Sequence, residues 1–274
     1  MATKKKLLQA AAGTAAAAGG AGLDITEVFS TYLYTGNGST RSINNGIDLD
    51  GEGGLVWIKA RTFGDGGNIH SLFDTERGVA TLNNGSSGDG GYLSSNSVNP
   101  ESAYNTTLTS FNSSGFSLGS DQSVGAVNYD SNSTFASWTF RKAPKFFDVV
   151  TYTGVDTSGA GRTIAHNLGS VPGTIIIKRT DSTSNWPVYH RSTGNTGMLQ
   201  LNKTNSFYAA LNIWNNTSPT DTEFTISDNG NVNSPGGTYV AYLFAHNNSD
   251  GEFGPDGDQD IIKCGNYTGN GSAN

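Results

Sequence analysis

The chain has 274 residues and a mass of 28.6 kDa, which leaves room for one large domain or two of ordinary size. Glycine is abundant, at 37 residues or about twice ordinary usage, while only 14% of residues are charged and 35% hydrophobic. That balance excludes a charge-driven disordered tail and a coiled coil, and the lack of a three-residue glycine period excludes collagen. With a net charge of −7 and a pI near 5.0 the surface repels phosphate backbones, so nucleic acid is not expected as a partner. The single cysteine, Cys264, can form neither an internal disulfide nor a thiolate zinc site. No apolar run approaches the roughly 18 residues that cross a bilayer, and no membrane insertion is expected.

In chain order, residues 1–24 come first. Lys4, Lys5 and Lys6 precede Leu7 and Leu8, alanines follow, broken by Gly13 and Thr14, and the segment ends in Gly19, Gly20, Ala21 and Gly22. A basic start, a weakly apolar middle and small residues at a possible cut fit a secretory leader. With only two leucines in its apolar stretch, the segment reads better as a short, retained Ala-rich N-terminal helix with a glycine stop. Such a helix is marginal alone in water, so it needs a surface to pack on. It is expected to be an anchor, with Lys4, Lys5, Lys6, Leu7 and Leu8 as the anchoring residues.

A repeat organises the rest. Tyr34-Thr35-Gly36-Asn37-Gly38 returns as Tyr152-Thr153-Gly154 and again as Tyr267-Thr268-Gly269-Asn270-Gly271. Its neighbours follow in the same order: residues 54–59 answer to 173–178, Phe116-Ser117-Leu118 to Phe224-Thr225-Ile226, and residues 135–140 to 239–244. Two copies are expected, at 25–146 and 147–250, with extra loop residues in the first copy around 80–106. Residues 251–274 are read as a linker and the truncated opening of a third copy, which implies a longer natural protein.

Within each copy the short runs are strand-like. Ala136, Trp138 and Phe140 share one face, as do Val240, Tyr242 and Phe244, the period of half-buried strands. Short β-branched or aromatic runs such as 55–58, 149–152, 175–177 and 207–211 are bounded by Gly, Asn or Pro. No helical pattern of 10–15 residues separates them, which removes α/β architecture. The expected fold is all-β: two tandem antiparallel β-sandwiches, of jelly-roll or lectin-like type, behind the N-terminal helix.

Reactive constellations are scarce. His70, His166, His190 and His246 have no partner at metal-ligand spacing, and strand-borne histidines are read as structural. No nucleophile elbow, phosphate loop or zinc-protease helix occurs, so no catalytic residue and no cofactor are expected. Asp256, Asp258 and Asp260 alternate, as do Asp48, Asp50 and Glu52, and could converge oxygens on calcium. Neither cluster continues to a downstream glutamate, and solvated turns are the simpler reading. Asp74 and Glu76 could pose as a glycosidase carboxylate pair, but Arg77 beside them reads as their surface ion partner. Trp57 and Trp138 are placed in the core, because both have hydrophobic counterparts in the second copy. Trp214, near the loop at Asn215 and Asn216, is the candidate glycan platform.

Tyr34 to Gly38, Ser71 to Gly78 (SLFDTERG), Phe135 to Lys145 (FASWTFRKAPK) and Phe147 to Gly154 (FDVVTYTG) resemble repeated modules of tail-fibre and minor structural proteins of marine bacteriophages, cyanophages especially. The resemblance runs from about Ile25 to the end and carries over no catalytic residues. It implies a virion location and a homotrimer whose N-terminal segment is fixed to other tail proteins. In that arrangement the two copies form a proximal shaft, and distal modules meet a host surface glycan or protein. Other readings stay open: a capsid fibre or decoration protein, a secreted carbohydrate-binding array, or a glycan depolymerase, the last needing a carboxylate pair that the sequence does not convincingly supply.

Overall fold

A computed structural model describes residues 22–62, 70–82, 90–120, 127–130, 132–209 and 212–271. The Ala-rich helix expected within residues 1–24 and the anchoring residues Lys4, Lys5, Lys6, Leu7 and Leu8 lie outside them. The described course opens with one helical turn, α1 (Ile25–Val28). The Asp24 side chain accepts the Thr26 amide at 2.9 Å, and Glu27 reaches back to the Asp24 amide at 2.9 Å, a reciprocal cap. Extended backbone at Phe29 then ends the turn and starts the first strand.

From there the chain is all-β. The first half contains β1 (Phe29–Thr35), β2 (Arg41–Asn44), β3 (Gly54–Thr62), β4 (His70–Asp74), β5 (Leu93–Ser94), β6 (Leu108–Asn112), β7 (Gly115–Leu118) and β8 (Thr134–Arg141). The second contains β9 (Phe147–Thr153), β10 (Arg162–Ala165), β11 (Thr174–Arg179), β12 (Pro187–His190), β13 (Gly194–Gln200), β14 (Tyr208–Ala209), β15 (Glu223–Ile226) and β16 (Thr238–Phe244), with a second helical turn, α2 (Gly230–Asn233), before β16.

Strand order repeats between the halves. The large sheet of the first half runs β1-β8-β3-β4-β5, and that of the second runs β9-β16-β11-β12-β13-β14. The small sheets run β2-β7-β6 and β10-β15. Every pairing between these strands is antiparallel, and the registers agree as well: Tyr34 faces Phe135 as Tyr152 faces Tyr239, and Val56 faces Thr139 as Ile175 faces Leu243. Among the described residues strand β6 has no counterpart in the second small sheet, and it follows the segment expected to hold the surplus residues of the first copy.

Three cores hold these sheets in four layers. Val56, Ile58 and Phe73 on one face of the first large sheet pack against Ile43, Phe116 and Leu118 of its small sheet. Ile175, Ile177, Tyr239 and Leu243 of the second large sheet pack on Ile164, Phe224 and Ile226 in the same way. The remaining faces of the two large sheets meet each other: Leu55 and Leu72 share a core with Phe147, Val149, Ile176, Trp186, Val188, Val240 and Tyr242. The boundary expected between residues 146 and 147 therefore runs through a shared core, in which both Phe146 and Phe147 are buried. Adjacent strand residues point to opposite faces, so β3 and β11 are buried on both sides.

The recurring Tyr-Thr-Gly phrase fastens the end of each first strand. Tyr34 stacks on Phe135, with centroids 5.1 Å apart, lies under Arg41, and donates its hydroxyl to the Val127 carbonyl at 2.6 Å. Tyr152 does the same with Tyr239, Arg162 and the Val232 carbonyl. The glycine that follows has no room for a side chain. A Cβ on Gly36 would sit 2.6 Å from the Asp130 carbonyl oxygen, and one on Gly154 would overlap that of Ser234. Around Gly269 there is open space, and Tyr267 is 95% exposed, so the third copy of the phrase makes none of these contacts. Gly154→Ala is therefore expected to destabilise the chain by about 1–3 kcal/mol through overpacking against backbone. Gly269→Ala should leave a urea midpoint unchanged, and equal effects of the two would refute this assignment.

Candidate functional site

The densest polar chemistry lies in the seam between the large sheets. Arg77, whose side chain is 5% exposed, sends Nε to Asp74 Oδ2 and Nη1 to Glu101 Oε1, both at 2.7 Å. Its remaining N–H groups reach the carbonyls of Gly91 and Leu72 at 2.9 and 3.1 Å. From the other half, the Tyr242 hydroxyl donates to Asp74 Oδ2 at 2.8 Å. Burial alone would lower the Arg77 pKa, but Asp74, Tyr242 and Glu101 outweigh it and hold the guanidinium above its ordinary value. The cluster is a buried ionic bolt. Arg77 joins Asp74 to Glu101 inside the protein rather than pairing Asp74 with Glu76 at the surface, and Glu76 binds Lys142 instead. Asp74 has no free oxygen for acid–base work.

A second fastening crosses the seam beside it. Residues 97–98 of the first half lie over β11 and β12: the Trp186 indole donates to the Ser97 carbonyl at 2.9 Å, and Lys178 Nζ donates to the Val98 carbonyl at 3.0 Å. Lys178 also donates to the Ser184 carbonyl at 2.9 Å and stands 5.8 Å from the centre of the Trp186 ring. Its side chain is fully buried, and burial, reinforced by Arg179, lowers its pKa to about 8.

The unfolded chain therefore holds a proton on this lysine between pH 8 and about 10.5 that the native chain has lost, and stability rises with pH across that window. Tyr152, Tyr242 and Cys264, all raised by burial, reverse the trend at higher pH, because the native chain keeps protons that the unfolded chain releases. A gain of about 1 kcal/mol is expected between pH 8 and about 9.5. Urea titrations should show Lys178→Met removing most of it, and a flat wild-type profile would contradict this.

The first half builds the matching position and leaves it open. Lys59 faces His70 across β3 and β4, where the β11–β12 register, continued two residues, sets Lys178 against Trp186. The Asn96 side chain accepts the His70 amide at 3.4 Å, as that of Asn202 accepts the Trp186 amide at 3.1 Å. In the same register Lys203 and Thr204 are the counterparts of Ser97 and Val98. Yet among the described contacts no hydrogen bond joins them to His70 or Lys59. A cleft of about 310 Å³ remains, lined by Trp57, His70, Ser95, Asn96, Asn202 and Lys203. The half-buried Trp57 donates its indole N–H to His70 Nδ1 at 3.0 Å. That leaves the imidazole proton on Nε2, and burial together with Lys59 lowers the His70 pKa, which favours the neutral ring. Another cleft of about 350 Å³ lies beside the Arg77 bolt, lined by Thr151, Thr153, Thr180 and Thr238.

Residues 24–274, which contain both fastenings and both clefts, match the family described as "Domain of unknown function (DUF7483)". The chain belongs to that family. No curated protein and no solved structure matches it.

Within this DUF7483 fold the residues singled out from sequence take the following places. Trp214 is no surface platform: it is 1% exposed, packs edge-on against Tyr189, and donates its indole N–H to the Gly197 carbonyl at 3.0 Å. Trp57 and Trp138, expected in the core, are only half-buried and meet edge to face at 6.4 Å. Asp256 and Asp258 are exposed, whereas Asp260 spends its oxygens on the amides of Ser249 and Gly251. Those three carboxylates do not converge. Asp48 likewise caps the Gly51 amide, and Glu52 pairs with Arg141. Among the described residues no group of three or more His, Cys, Asp or Glu side chains could hold a metal, and no helix is long and apolar enough to cross a membrane.

Sequence reasoning missed Glu101, Lys178 and the Trp57–His70 pair. One signal was available: residues 55–58 and 175–177 are continuous apolar runs, the mark of strands buried on both faces.

Proposed function

We propose that the chain is a structural module of a bacteriophage tail fibre, in which each half is a β-sandwich repeat of jelly-roll or lectin-like type. In this reading residues 1–24 anchor to other tail proteins, three copies associate, and the two repeats form a proximal shaft that carries distal host-binding modules. The observation that supports it is the core shared by the two large sheets. Repeats joined only by a linker would flex, whereas repeats that share Phe147, Trp186 and Leu55 transmit position along the chain. Stiff spacing of several weak contacts raises effective concentration at a cell surface, which is what a fibre needs. The phage-like phrases coincide with the fasteners: SLFDTERG supplies Asp74 and Arg77, and the Tyr-Thr-Gly glycines allow close backbone approach.

Immunogold labelling of purified phage particles, with an antibody raised against residues 22–271, tests the reading. Gold on the tail fibres supports it. Gold on the capsid moves the chain to a capsid fibre, and unlabelled intact particles overturn the proposal.

A further inference from the structure

We infer that the cleft beside Trp57 is a binding site for an acidic saccharide, a hexuronate or an oligomer of one. The inference does not depend on where the protein resides. It starts from the pseudo-equivalent position in the second half, where a cation and a ring N–H, from Lys178 and Trp186, hold two carbonyl oxygens of residues 97 and 98. The first half presents the same chemistry, with Lys59 opposite His70 and the His70 Nε2 proton free of the Trp57 contact. No backbone oxygen of the described chain fills it. A cleft of about 310 Å³ stands in that place, at the lower end of the size range for small-ligand sites.

Two features select the ligand. The first is the half-buried Trp57 ring, which takes the place of Ile176 in the second half and offers an aromatic surface to the C–H face of a pyranose. The second is charge. Lys203 lines the cleft, Lys59 stands on the same strand face as Trp57, and neither forms an ion pair among the described residues, in a chain of net charge −7. Donors therefore dominate the lining, with the Lys203 ammonium, the His70 ring N–H and the Asn96 amide NH₂, while Lys59, paired with His70 in the sheet, adds positive charge nearby. A carboxylate with neighbouring hydroxyls complements that set better than a neutral sugar does.

The test is a titration of the ¹⁵N-labelled chain with glucuronate, with glucose and acetate as separate arms, followed through side-chain N–H signals. Glucuronate should shift the Trp57 indole and Asn96 amide signals and leave the buried Trp186 and Trp214 indoles in place. Glucose and acetate should each bind at least about fivefold more weakly, and added salt should weaken glucuronate binding. Trp57→Ile and Lys203→Ser each install the residue found at the equivalent position of the other half, Ile176 and Ser97, and both variants should remain folded. The first should weaken glucuronate about tenfold and the second about fivefold. Equal binding of glucose overturns the acidic assignment, and equal binding of acetate overturns the saccharide assignment. No shift at Trp57 and Asn96, or full binding by both folded variants, overturns the site.

Discussion

Arg77→Ala is expected to lower stability by about 3–5 kcal/mol, because it leaves two buried carboxylates without their counter-charge. Asp74 and Glu101 are 0% and 3% exposed at the side chain, so water cannot take over the role of the guanidinium. The Gly91 and Leu72 carbonyls lose their donors at the same time. Arg77→Lys should recover little, since one ammonium cannot span four acceptors that the planar guanidinium reaches together. By contrast, a triple replacement of Arg77, Asp74 and Glu101 by apolar residues of similar size should be milder than Arg77→Ala alone, because no orphaned charge remains. Urea unfolding of the three variants gives the order. A loss below about 1 kcal/mol for Arg77→Ala would mean that the cluster is hydrated and holds nothing together.

Trp186→Ala has an effect of similar size, about 3–5 kcal/mol, for a different reason. The ring is fully buried in the core shared by the two large sheets, and its indole N–H holds the Ser97 carbonyl from the other half. Removing it opens a cavity between the sheets and frees residues 97–98. Hydrogen exchange should then show amides of β4, in the first half, losing protection together with those of β12, in the second. Loss confined to β12 would show that the seam does not couple the halves.

The runs at 135–140 and 239–244 were enough to identify β8 and β16 as strands, although β16, read as half-buried, is buried on both faces, and the Tyr-Thr-Gly phrase marked equivalent ends of β1 and β9. Those features are local, and local sequence carries them. Trp214 shows where this stops: beside two asparagines it reads as a loop residue, but tertiary packing against Tyr189 and Met198 buries it. Arg77 finds Glu101 only through the fold, because 24 residues separate them and nothing in either neighbourhood marks the pair. The Trp57 cleft was the hardest to foresee. It exists because Lys203 and Thr204 do not repeat the contacts made by Ser97 and Val98, a difference that becomes visible only when the halves are laid against each other.

Differential scanning calorimetry of the whole chain tests most directly whether the repeats are welded into one unit. A single transition with calorimetric and van't Hoff enthalpies in a ratio of about one is predicted, since neither half can unfold without exposing the core around Phe147 and Trp186. Two separable transitions, or a ratio near two, would mean that the halves melt as independent beads, and the account of a stiff, shared-core shaft would be contradicted.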